Sequence, residues 1–120
     1  MNKIQDTVTD LSRAKGIKGC AVVLRDGITV AEALSDRFRS DVVSGLVSFL
    51  ISTTNKTLNG AQLGEFRRFS LHSTHGKVLV IELGGPYLIV LLDQFASLDG
   101  CQADIKAAAQ QLRRLSKMRT

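Results

Sequence analysis

From Val42 to Asn55 the chain carries no charged residue, and no other feature so narrows what it can fold into. Aliphatic residues recur there among serines and threonines up to Asn59-Gly60, which predicts a helix over Val42–Leu58 with Asp36 or Ser40 as its N-cap. At about 100° per residue, with Val42 at zero, Phe49 lies at about −20°, Leu46 at about 40°, Leu50 at about 80° and Val43 at about 100°. Val47, Leu58 and Ile51 extend the arc to about 140°, about 160° and about 180°. The apolar arc spans roughly 200°, about twice what a helix resting on one sheet needs. Ser44, Gly45, Ser48 and Ser52 fill the remainder, all small and neutral. Such a helix can be approached closely from two sides. One side is expected on the chain's own sheet and the other against a second copy, since two-fold pairs are the commonest soluble oligomers. The alternative is that another helix of the same chain covers the surplus.

The flanking segments supply the sheet. Lys3–Lys15 places Ile4, Val8 and Leu11 at helical spacing and closes at Gly16. Gly19-Cys20-Ala21-Val22-Val23-Leu24 is an unbroken apolar run, predicted as a strand buried on both faces. Asp26-Gly27 separates it from Ile28–Leu34, a hairpin signature. Phe66–Ser73, Lys77–Leu83 and Tyr87–Leu92 read as three further strands, joined at His75-Gly76 and Gly84-Gly85. Asp99 is the expected N-cap of a last helix whose stripe is Cys101, Ile105, Ala108, Leu112 and Leu115. The short loops make neighbouring strands antiparallel. The expected class is α/β (α+β), in the order helix, two strands, helix, three strands, helix, forming one domain over residues 1–120.

Composition limits the partners. The net charge is +5, yet residues 1–112 carry 12 Lys and Arg against 11 Asp and Glu, a net of +1. The excess sits in Arg113, Arg114, Lys117 and Arg119, a basic C-terminal tail over 113–120 suited to the end of a helix dipole. With five Phe, one Tyr and no Trp, the chain lacks the aromatics of a nucleic-acid stacking platform, so no nucleic-acid partner is expected. Its most apolar stretch, Val78–Leu92, is broken by Glu82, Gly84, Gly85 and Pro86, so stable membrane insertion is not expected. Cys20 and Cys101 stand far apart and suggest a reducing compartment, and no apolar signal segment follows the initial Met-Asn-Lys. A soluble, cytoplasmic protein is the expectation.

The strand Gly19–Leu24 entering Arg25-Asp26-Gly27, the serine-rich apolar helix and the later Gly85-Pro86-Tyr87-Leu88-Ile89-Val90-Leu91-Leu92 resemble the roadblock (dynein light chain) family, over about Ile4 to Leu115. The resemblance implies a five-stranded antiparallel sheet of profilin- or longin-like architecture, with the middle helix on one face and the terminal helices on the other. It also implies a homodimer joined through the middle helix and the next strand, the two sheets becoming one. The side chains expected there are Val43, Ser44, Val47, Ser48, Leu50, Ile51 and Thr54 of the helix, with Phe66, Arg68 and Phe69. By the same resemblance the protein binds a small Ras-like GTPase as regulator or scaffold, or serves as a light chain or adaptor in a larger complex. The loop Ala61-Gln62-Leu63-Gly64 carries none of the family's diagnostic residues.

No catalytic constellation stands out. There is no G-x-x-x-x-G-K-[ST] phosphate loop. His72 and His75 would need further ligands for a metal, and Cys101, near Asp99 and on the buried stripe, is expected in the core like Cys20. The aspartates are scattered over turns and caps, so general acid–base work has no site. The expectation is a non-enzyme without cofactor or metal. A PAS- or GAF-like ligand sensor is the remaining alternative, and it needs an apolar pocket with converging polar groups.

Overall fold

The computed structural model describes residues 3–35 and 38–118. Helix α1 (Lys3–Ser12) leads into β1 (Ile17–Val23) and β2 (Thr29–Leu34). Helix α2 (Ser40–Gly60) precedes β3 (Arg68–Ser73), β4 (Gly76–Glu82) and β5 (Tyr87–Asp93), and α3 (Leu98–Met118) closes the domain. The five strands form one antiparallel sheet in the order β2-β1-β5-β4-β3. This is the element order and sheet expected from the sequence.

Alternation along the central strands builds two cores. In β5, Leu88, Val90 and Leu92 point to one face and Tyr87, Ile89 and Leu91 to the other. On the first face α1 and α3 cover the sheet with Val8, Leu11, Ile105 and Leu112. On the second, α2 alone does so, through Val47 and Ile51. The β1–β2 hairpin turns at Asp26-Gly27, where Gly27 has φ +94° and Asp26 Oδ1 accepts from the Ile28 N–H at 3.1 Å. A left-handed residue at that turn favours glycine.

Three helix boundaries depart from expectation. The N-cap of α2 is Arg39, which makes no side-chain cap bond. Ser40 is the first helical residue, and its hydroxyl donates to Glu32 instead; Asp36 lies outside the described residues. Asn59 and Gly60 are still helical, and the left-handed residue is Gln62, at φ +63°. There Gln62 N–H donates to Asn59 O at 3.0 Å and Leu63 N–H to Leu58 O at 2.9 Å, a Schellman closure with glutamine where glycine is usual. Helix α3 starts a residue before Asp99; the Gly100 N–H approaches Ser97 Oγ at 3.4 Å, so the serine stands in the capping place. The basic residues Arg113, Arg114 and Lys117 belong to α3 rather than to a separate tail, and Arg119 lies outside the described residues.

Candidate interaction surface

Helix α2 is anchored on one flank. Ser44 Oγ shares a 2.8 Å hydrogen bond with Thr29 Oγ1 of β2, and Ser48 Oγ approaches Arg25 O at 3.4 Å. A Cβ on Gly27 would come within 3.3 Å of Ser48 Cβ, so the small serine flank lets the hairpin close on the helix. Farther along, the buried Asn55 accepts the Phe66 N–H at 3.0 Å, tying the segment before β3 to the helix. Arg25 donates to Glu65 Oε1 and to Tyr87 Oη, each at 2.9 Å. Those hydrogen bonds, Glu65 first, hold its guanidinium pKa above the usual arginine value.

The outer side of α2 is open and apolar. Val42 is 56% exposed, Leu46 53% and Phe49 65%, at steps of four and three. The stripe is centred about 150° around the helix from the buried Val47 and Ile51. Neither α1 nor α3 reaches this face, so no described helix covers the surplus. Leu71 of β3, 45% exposed, pairs with Val78 and so lies on the same side of the sheet.

The expected contact residues divide accordingly. Val47, Ile51 and Phe66 are buried in the chain's own core, with no surface to offer a partner. Ser44 and Ser48 face the hairpin. Val43, Leu50, Thr54 and Phe69 are half-buried, while Arg68 is exposed and points to the opposite face with Ile81. Val42, Leu46 and Phe49 were missing from the expected set because periodicity locates an apolar arc without saying which end rests on the sheet. The small serines could have settled it, since close approach needs them on the packed side.

Strand β3 is an edge, bonded to β4 alone. The Glu82 N–H donates to Arg67 O at 2.8 Å, which makes 67 and 82 a hydrogen-bonded pair. Pairs alternate along an antiparallel ladder, so the backbone groups of Arg68, Ser70 and His72 point away from β4 to the open edge.

Burial pushes the Cys20 thiol up to about 12, and its Sγ donates to Val8 O at 3.0 Å; the group is inert core. Cys101 is also buried, its Sγ 3.4 Å from Lys15 O. His72 and His75 are exposed, and among the described residues no three His, Cys, Asp or Glu side chains converge as for a metal ion. No helix among the described residues is long and apolar enough to cross a membrane.

Comparison with known proteins agrees with this geometry. Three uncharacterized proteins of Methanocaldococcus jannaschii are each 26% identical over 110 residues, covering 92% of this chain and at least 93% of theirs. Myxococcus xanthus MglB superposes with a TM-score of 0.90 at 17% identity, over 98% of both chains. A structure described as MglB with tetrameric arrangement gives 0.83 at 18%, over 97% of this chain and 89% of that one. The Roadblock/LC7 domain from Streptomyces avermitilis gives 0.80 at 16%, over 98% of both. The Roadblock/LC7 domain model matches residues 3–93, the whole sheet and two helices packed on its opposite faces, α1 and α2, and the chain belongs to that family.

Proposed function

We propose that this chain works as a non-catalytic homodimer that regulates or scaffolds a small Ras-like GTPase. The observation carrying the proposal is the stripe Val42, Leu46 and Phe49 on the outer side of α2, beside the open edge of β3. Large apolar side chains in a row on an uncovered helix mark an interaction surface. A two-fold copy satisfies both features at once, packing α2 on α2 and adding β3 to β3. Membership of the Roadblock/LC7 family supports a partner that is itself a protein, and the roadblock resemblance suggests the GTPase. The MglB structure with a tetrameric arrangement supports assembly of this fold into multimers.

The test is titration of the purified protein against a small Ras-like GTPase of the same organism, loaded with GDP or a non-hydrolysable GTP analogue, with hydrolysis followed in parallel. Binding that depends on the nucleotide is expected. No binding in either state defeats the GTPase reading. The open β3 edge favours a second one, an adaptor that recruits a peptide by strand addition without altering nucleotide turnover. Binding in both nucleotide states with an unchanged hydrolysis rate favours that adaptor.

A further inference from the structure

On the face of the sheet opposite α2, α3 leaves a groove of about 530 Å³ between itself and strands β3 and β4. Its floor is apolar, built from Leu79 and Ile81 of β4 with Ile105 and Ala109 of α3. Its walls are basic. Arg67 and Arg68 stand on the β3 side, Lys106 and Arg113 on the α3 side, and Asp99 is the one carboxylate in the lining. Among the described residues, no ion pair or side-chain hydrogen bond engages Arg67, Arg68 or Lys106. Arg113 donates to Glu82 O at 3.0 Å, which draws it toward the end of the groove where Arg68 pairs with Ile81. The charge is therefore graded, with arginines at one end and Asp99 at the other.

We infer that this groove docks an acidic, extended peptide segment of a partner protein. Length is the first reason. The lining positions of α3 run from Leu98 to Arg113, about 22 Å of helix, and a peptide of about seven extended residues spans the same distance. Chemistry is the second. In an extended peptide alternate side chains point the same way, so aliphatic residues can rest on the floor while acidic ones reach the two basic walls. A small anion would use the cations and leave the floor idle. A bilayer surface needs a protruding rather than a recessed contact. A nucleic acid would find no aromatic ring in the lining on which to stack a base. Cations left unpaired beside an apolar floor are the complement of an acidic and aliphatic strand. The groove is complete within one chain and lies across the sheet from α2, so its occupation does not depend on pairing.

The test is selection of peptides of about eight residues, matched to the groove's length, from a random displayed library on the intact protein. The winner, labelled with fluorescein, is then measured by polarization. Enrichment in Asp and Glu interspersed with aliphatic residues is expected, with affinity falling as salt rises. Arg68→Glu combined with Lys106→Glu should weaken binding at least about ten-fold with an unchanged circular dichroism spectrum. Phe49→Ala should leave peptide affinity within about two-fold, which separates failure of docking from failure of pairing. Selected peptides no more acidic than the library, or equal binding by the charge-reversed variant, overturn the inference. So does complete displacement by millimolar inorganic phosphate, which would reveal a simple anion site. Binding to phosphatidylserine vesicles that the charge reversal abolishes, with no peptide selected, overturns it in favour of a membrane surface.

Discussion

Phe49 allows pairing through α2 to be tested against a number. Its side chain is 65% exposed on a helix whose opposite side is already buried. Fully burying a phenylalanine is worth about 2.5 kcal/mol, so covering the open share contributes about 1.6 kcal/mol per copy and about 3 kcal/mol to a two-fold pair. Phe49→Ala removes most of that, and the dissociation constant is expected to rise about 100-fold. The same change touches none of the chain's own core, and alanine is the better helix former by about 0.5 kcal/mol. The isolated chain should therefore hold or gain stability while association weakens, two effects of opposite sign that a general disruption would not produce. Sedimentation equilibrium across the wild-type dissociation constant reads the first, and urea unfolding at high dilution the second. A wild-type chain that sediments as one copy at high concentration refutes the reasoning, as does a Phe49→Ala pair as tight as the wild type.

The other expectations concern the strand edge, the helix ends and the core. Ser70→Pro removes an N–H that points to the open edge, so it should weaken pairing while the monomer stays folded; Leu71→Pro, one residue on, breaks the bonds to β4 and should unfold the chain, both read by sedimentation and circular dichroism. Gln62→Gly relieves a left-handed residue and should stabilise the fold by about 1 kcal/mol in urea unfolding. Asn55→Ala leaves the Phe66 N–H without its acceptor and should cost about 1–3 kcal/mol in the same assay. The Cys20 thiol, raised from 9.0 to about 12, stays neutral in the folded chain where the unfolded chain ionises. Its contribution to stability is therefore complete below about pH 9 and lost as pH rises toward 12, a decline that Cys20→Ala should lack when stability is followed against pH.

Much of this architecture was legible because the relevant signals are local. The unbroken apolar run in β1 marks a strand covered on both faces, and it lies inside the sheet, between β2 and β5. Asp26-Gly27 marks a hairpin because a left-handed turn residue needs no tertiary help. The helix ends were less legible. Contacts that residue type does not announce set them: Ser40 gives its hydroxyl to Glu32 of β2 instead of capping α2, and the other end closes on a left-handed Gln62 rather than on Asn59-Gly60. The surface was half legible. An apolar arc of roughly 200° announces two contacts, but periodicity is blind to absolute orientation, so Val47 and Ile51 and the pair Leu46 and Phe49 look alike until the sheet claims one side. The groove beside α3 was not legible at all, since its walls come from β3 and from a helix far along the chain.

Strand β3 ties the two surfaces together. Its alternation sends Phe69 and Leu71 to the α2 side and Arg68, Ser70 and His72 to the α3 side, while the backbone groups of those last three face the open edge. A second copy added along that edge extends the sheet without crossing it, because strand addition uses backbone groups in the sheet plane. Side chains above and below keep their faces. An antiparallel β3–β3 junction therefore brings the apolar stripes of both α2 helices together on one face and sets the two basic grooves next to each other on the other. A partner with two acidic segments would then bind the dimer more tightly than the monomer even though each groove is complete in one chain, since the second segment docks at raised effective concentration. Pairing would govern avidity on the α3 face without altering the affinity of a single segment, which is why a monovalent peptide is insensitive to Phe49→Ala and a tandem one is not.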